Sequence, residues 1–210
     1  MKTCIIFCAA DFDGLVEPIG PEDYVLAADG GLRHVQALGI TPDEILGDFD
    51  SLGYVPQEGR VFPVEKDDTD AMLAVRRGLE LGYRRFVIYG GLGGERLDHT
   101  VANFQLLGFL ASRGARGFLV GKKNLVTVLK DDTLTFPADC TGTISVFCQG
   151  EPARGVTIRG LKYELENGAL TAEFPLGVSN AFCGREADIG VRQGSLLILW
   201  DLGCGFPVCR

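Results

Sequence analysis

The sequence predicts an α/β N-terminal domain with a mostly parallel sheet, followed by a C-terminal all-β sandwich. Three observations predict it. Short apolar runs alternate with helix-like stretches up to about residue 121, and after Gly121 only short β-like runs separated by turn residues remain. No Pro- or Ser-rich linker divides the two, so they are expected as closely packed units, 1–121 and 122–210.

In the first half, Ile5-Ile6-Phe7 is a strand candidate. Tyr24 to Ala28 is another, followed by a helical stretch from Leu32 to Leu38. Glu44 to Leu46 leads into Gly47-Asp48-Phe49-Asp50, and Val61 to Val64 leads into Asp67-Asp68-Thr69-Asp70. Ala71, Val75 and Leu79 then recur at helical spacing. Phe86 to Tyr89 is a run of β-formers ending in Gly90-Gly91. Leu97, Val101, Phe104 and Gly108 mark one face of a longer helix, and Phe118 to Val120 closes the series. Such alternation predicts a parallel sheet covered by helices.

In the second half, the β-like runs are Val126 to Leu129, Thr133 to Phe136, Thr143 to Phe147, Val156 to Ile158, Ala169 to Ala172 and Leu196 to Trp200. Asn167-Gly168 predicts a hairpin turn, because both central positions of a type I′ turn need positive φ. Gly177-Val178-Ser179-Asn180 reads either as a binding edge or as a turn, and propensity favours the turn. Trp200 reads as core.

Composition narrows the function. Apolar residues make up 46% and charged residues 23% of 210 residues, which is globular composition. Lys and Arg number 20 against 28 Asp and Glu, a net charge of −8. This argues against nucleic-acid and anionic-membrane partners, which need a positive surface. No apolar run approaches the roughly 20 residues that cross a bilayer. The run from Ile5 to Ala10 meets Asp11 too soon to read as a signal peptide. Seven cysteines without a Cys-x-x-Cys spacing and two histidines argue against zinc. The cysteines are expected to be reduced, as in a cytoplasmic protein.

Two acidic clusters stand out. Asp48 and Asp50, at i and i+2, share one face if the backbone stays extended. Asp67, Asp68 and Asp70 follow the next strand candidate. Loops at the carboxyl ends of parallel strands line ligand crevices, so the two clusters are expected to meet there. Together they would repel one another, a problem that a hard cation such as Mg²⁺ removes. Taken singly, each aspartate also reads as a helix cap or turn residue. Gly90-Gly91-Leu92-Gly93-Gly94-Glu95-Arg96-Leu97-Asp98-His99 is a glycine-rich turn before a helix. There, backbone N–H groups and Arg96 suit phosphate, and Asp98 reads equally as an N-cap. Ala28-Asp29-Gly30-Gly31 reads as a second phosphate or nucleotide turn, or as a plain βα connection. His99 reads as structural or as supporting the site from behind, and His34, in a helical stretch, as half exposed.

In order and spacing these motifs resemble the thiamine pyrophosphokinase (thiamine diphosphokinase) family along nearly the whole chain. They are Asp29-Gly30-Gly31, Gly47-Asp48-Phe49-Asp50-Ser51, Lys66-Asp67-Asp68-Thr69-Asp70, Gly94-Glu95-Arg96-Leu97-Asp98-His99 with Asn103, Gly160-Leu161-Lys162-Tyr163 and Gly177-Val178-Ser179-Asn180. Glu95 departs from a frequent Gly, and Tyr163 from a frequent Trp. The resemblance implies a homodimer that transfers pyrophosphate from ATP to thiamine with Mg²⁺, releasing AMP. It implies Asp48, Asp50 and Asp70 as metal ligands, with Arg96 on phosphate and Asp98 orienting the hydroxyl. It places Asp29, Gly30, Gly31, Lys66, Asp67, Thr69, Gly94 and Asn103 at the nucleotide. Leu161, Tyr163, Ser179 and Asn180 would hold thiamine. Another Mg²⁺-dependent phosphoryl or nucleotidyl transferase, and a non-catalytic binding protein that kept the pocket, remain as alternatives.

Overall fold

A run such as Cys4–Phe7 has no polar face to offer water, so it is stable only where both faces are covered. In the computed structural model, which describes residues 2–49, 54, 56, 59–61 and 68–208, that run forms the centre of a sheet. The strands are β1 (Thr3–Phe7), β2 (Tyr24–Ala28), β3 (Glu44–Gly47), β4 (Gly59–Val61), β5 (Arg85–Tyr89) and β6 (Arg116–Val120). All pair in parallel, in the order β6-β5-β1-β2-β3-β4. The chain steps outward from β1 to β4, then returns to place β5 on the other flank of β1. Strand order therefore reverses beside β1, and in open α/β sheets ligands collect at that reversal.

Among the described residues three helices lie between strands: α1 (Leu32–Ala37) between β2 and β3, α2 (Asp70–Glu80) between β4 and β5, and α3 (Leu97–Ala111) between β5 and β6. α2 buries Ala71, Ala74, Val75 and Gly78. Near its far end, Arg77 Nε donates to Glu44 Oε2 at 2.8 Å, and the Tyr24 hydroxyl donates to the same oxygen at 2.8 Å. That pin fixes the helix along β2 and β3. Burial, with the bond to Glu44 next, pushes the Tyr24 hydroxyl up to about 12. In α3 the buried residues are Asn103, Leu106, Leu107 and Leu110, whereas Leu97 and Val101 are exposed. The expected apolar stripe from Leu97 to Gly108 is therefore not the helix's buried face. The expected strand Val61–Val64 begins earlier, as β4, and residues 62–64 lie outside the described residues.

By contacts the chain divides into two units, residues 1–106 with 114–122, and residues 107–113 with 123–210. The second unit has β7 (Asn124–Lys130), β8 (Thr133–Phe136), β9 (Thr143–Cys148), β10 (Ala153–Arg159), β11 (Leu165–Leu170), β12 (Gly177–Ala181), β13 (Ala187–Gly190) and β14 (Ser195–Asp201). β12-β9-β14-β7 form one antiparallel sheet and β11-β10-β13-β8 another. Their inner faces meet where the Phe136 ring stands edge-on to Trp200, with centroids 5.3 Å apart. Trp200 is core, as expected, and its Nε1–H donates to the Gly205 carbonyl at 2.9 Å.

Three expectations change in this unit. Asn167, at φ 50, and Gly168 lie inside β11, where the register against β10 shifts. The positive φ serves an irregular pairing, and the chain reverses over residues 160–164 instead. Gly177-Val178-Ser179-Asn180 is an edge strand rather than a turn. Cys140 and Cys204 are joined by a disulfide, so the reading of all cysteines as reduced is corrected at this pair. Cys4, Cys8, Cys148 and Cys183 are free.

One contact in the first unit admits only glycine. A Cβ on Gly31 would stand 1.9 Å from the Phe7 carbonyl oxygen, a backbone atom that cannot swing aside. Gly31→Ala is expected to destabilise the protein by about 3 kcal/mol through overpacking, read as a lowered urea midpoint. An unchanged midpoint would refute this packing argument.

Candidate active site

Two of the site carboxylates sit where strands of the parallel sheet end, and the third opens a helix. After β2 the chain enters a single 3-10 turn, Asp29–Gly31, with Asp29 in the left-handed region at φ 47 and 8% exposed. After β3, Asp48 precedes Phe49, whose φ is 62 and whose side chain is buried. The backbone therefore does not stay extended past Asp48, and the argument that put Asp48 and Asp50 on one face fails here. Asp50 itself lies outside the described residues, as do Lys66 and Asp67.

Asp70 opens α2. The Thr69 Oγ1 caps that helix by accepting from Met72 N–H at 3.2 Å, and a carboxylate is favoured in the first turn by the helix dipole. One carboxylate oxygen from each of Asp29, Asp48 and Asp70 lies within 4.8 Å of the others. An all-oxygen anionic set of this kind suits a hard divalent cation and would be a poor home for a soft one.

The three acids open into a cavity of about 720 Å³. Its walls come from the loops after β1 (residues 8–13), β2, β3, β5 and β6, with Thr69, Asp70 and Ala71 of α2 and His99, Ala102 and Asn103 of α3. The glycine-rich turn forms one wall. It is held by Asn103 Nδ2, which donates to the Gly91 carbonyl at 2.8 Å from a buried position. The loop after β1 runs alongside, with Ala10 N–H donating to Gly90 O at 3.0 Å and His34 Nε2 lying 2.9 Å from Ala10 O. Phe12 packs against His34 and Tyr89 at 5.2 and 5.6 Å. Cys8 also faces the cavity. Burial, helped by the Asp70 charge, pushes its thiol up to about 12, so it stays protonated and is no nucleophile.

Arg96 lines the cavity, and its guanidinium grips Asp98 through two of its nitrogens, Nε to Oδ1 at 3.0 Å and Nη2 to Oδ2 at 2.6 Å. Both side chains are exposed. The hydrogen bonds from Arg96 hold the Asp98 carboxyl down to about 2. Asp98 is the second residue of α3, not its N-cap.

Of the residues singled out from sequence, Asp29, Asp48, Thr69, Asp70, Gly94, Arg96 and Asn103 share this cavity. Gly30 and Gly31 are buried and stand outside its lining. In the second unit Leu161 is buried and Tyr163 is exposed. Asn180 clamps the Tyr163 backbone, donating to its carbonyl at 2.6 Å and accepting from its N–H at 2.9 Å. Ser179, at φ 59, accompanies it on the edge strand. Sequence reasoning missed the loop after β1 and Lys122. The signal was present, because Asp11 and Asp13 repeat behind β1 the i, i+2 acidic spacing of Asp48 and Asp50.

In sequence and fold the chain is similar to known proteins. Residues 19–116 match the model of the thiamin pyrophosphokinase catalytic domain, and residues 132–196 that of the thiamin pyrophosphokinase vitamin B1 binding domain. The chain is 29% identical over 185 residues to a thiamine pyrophosphokinase of Bacillus subtilis, covering 83% of this chain and 85% of that one. A crystal structure of thiamine pyrophosphokinase from the same species superposes with a TM-score of 0.82 at 24% identity, over 96% of this chain and 99% of the other. A thiamin pyrophosphokinase structure from Geobacillus thermodenitrificans gives 0.77 at 26% identity, over 96% and 97%.

The Arg96–Asp98 pair makes a direct test. A carboxyl held low stabilises the fold above its ordinary 3.8, and that contribution is lost as pH falls toward 2. Arg96→Gln is expected to return the Asp98 carboxyl toward 3.8 in an NMR titration. A value left near 2 would show that the guanidinium is not the cause.

Proposed function

The chain belongs to the thiamin pyrophosphokinase family, and on that premise we propose that it transfers the pyrophosphoryl group of ATP to the hydroxyl of thiamine, giving thiamine diphosphate and AMP. The observation that carries this reading is the convergence of Asp29, Asp48 and Asp70 in one cavity at the strand-order reversal.

In this reaction the thiamine hydroxyl oxygen attacks the β-phosphorus. The bond from that phosphorus to the oxygen bridging the α-phosphorus breaks, and AMP leaves with the oxygen. Such transfers depend on in-line positioning and charge neutralisation. Asp29, Asp48 and Asp70 would hold Mg²⁺, which when bound neutralises polyphosphate oxygens. Asp50 joins them by resemblance. Arg96 donates its planar fork to phosphate, exchanging one anionic partner for another. Asp98 then becomes available to orient the hydroxyl. The glycine-rich turn brings backbone N–H groups toward phosphate, with Asn103 keeping its shape and Thr69 capping the helix that carries Asp70. Lys66 and Asp67 complete the nucleotide site in the same reading.

Thiamine falls to the second unit, where Leu161, Tyr163, Ser179 and Asn180 would hold its rings, and the net charge of −8 favours the cationic thiazolium. The Asn180 clamp on Tyr163 supports this, because it fixes an exposed aromatic beside a polar edge. The reading further takes the protein as a cytoplasmic homodimer that uses no nucleic acid and no membrane. Among the described residues no helix is long and apolar enough to cross one.

Incubation with thiamine, ATP and Mg²⁺ followed by chromatography should show AMP and thiamine diphosphate in equal amounts. ADP in place of AMP would point to an ordinary kinase, and no turnover to a binding protein. Asp48→Asn should lower kcat by ~100-fold or more while thiamine affinity, read by calorimetry, stays within twofold. Equal losses in both would remove Asp48 from the transfer step.

A further inference from the structure

The cavity holds a second ion pair that the chemistry above leaves unused. Lys122 stands two residues beyond β6, at the same sheet edge as the other site loops, with Nζ 3.6 Å from Asp11 Oδ2. A direct charge-assisted N–H···O bond is about 2.7–2.9 Å long. This pair is therefore drawn together by charge without a short hydrogen bond to lock it. The Asp11 carboxylate is better placed. It lies against the glycine-rich turn, where a Cβ on Gly93, at φ 80, would come within 3.1 Å of Oδ2.

Among the described residues, the arginine and the lysine that line the cavity thus differ. Arg96 is engaged through two short bonds, whereas Lys122 is loosely held on a flexible four-carbon stem. A polyphosphate approaching Asp29, Asp48 and Asp70 needs a positive group that changes partner easily, and Lys122 meets that need.

We propose that Lys122 is a polyphosphate-binding residue of this chain, passing from the Asp11 carboxylate to phosphate oxygens when the nucleotide binds. Asp11, beside the Gly93 turn, is the resting counter-ion that keeps the ammonium at the cavity wall until phosphate takes its place. The proposal rests on the nucleotide reading above and adds to it a cation that this chain supplies from the loop after β6.

Lys122→Met should raise KM for ATP about tenfold, the loss expected for one charge-assisted bond, and leave KM for thiamine within twofold. Lys122→Arg should recover most of the loss. Titration of ATP with Mg²⁺ into the variants by calorimetry should show the same order of affinity. Asp11→Asn should tighten ATP binding in the parent and do so less in Lys122→Met, because the exchange of partners needs the ammonium. An ATP KM within twofold of the parent for Lys122→Met, or an equal Asp11→Asn gain with and without Lys122, overturns the proposal. If the unaltered protein makes no AMP from thiamine and ATP, the function reading fails, and the calorimetry still decides the role of Lys122.

Discussion

Three carboxylates held within 4.8 Å of one another are the constraint on which the rest of the molecule depends. At that distance each pair of full charges repels by roughly 1 kcal/mol in bulk water and about 3–4 kcal/mol at an effective dielectric of 20. The fold must supply the opposing force from elsewhere. It does so with the sheet below, where β1, β2 and β5 bury almost every side chain and each large apolar residue contributes about 1.5–3 kcal/mol. A few such residues outweigh the repulsion. Asp29 and Asp48 sit directly after the ends of β2 and β3, and Asp70 in the first turn of α2, where they have little freedom to move apart.

The means of holding them is backbone geometry more than side-chain pairing. Asp29 leads a turn seated on the Phe7 carbonyl, Asp48 precedes a left-handed Phe49 anchored by its own buried ring, and Asp70 starts a helix whose other end is pinned through Arg77 and Glu44. Each acid is set by a different local device. The whole arrangement belongs to one sheet edge, so it is rigid in the way that active-site positioning requires.

Much of this was legible in the sequence, for physical reasons. Parallel strands buried on both faces leave uninterrupted apolar runs, and β1, β2, β5 and β6 are those runs. Glycine-rich and aspartate-rich stretches directly after them marked the cavity loops. What escaped notice depended on information that periodicity does not carry. The Leu97–Val101–Phe104 stripe looked like a core face, although the residues buried in α3 are Asn103, Leu106, Leu107 and Leu110. Asn167-Gly168 announced positive φ correctly and the wrong setting for it, since an irregular strand pairing uses the same conformation as a hairpin turn. The Cys140–Cys204 bond joins residues 64 apart, a proximity that only the fold reveals. The loop after β1 is hard to read as a site because Asp11 and Asp13 follow the apolar run with no glycine-rich turn or helical spacing behind them.

The place of β1 in the sheet bears on how the protein is made. This strand is made well before β5, yet one flank pairs with β2 and the other with β5, in a register that sets Thr3 against Arg85. The nascent chain therefore carries one bare edge of its most apolar strand through the synthesis of some eighty further residues. Over that interval the aspartate loops already exist and the glycine-rich wall does not. Translation speed through this stretch, and shielding of the open edge by a chaperone, become determinants of yield for a protein whose finished form exposes no trace of the problem.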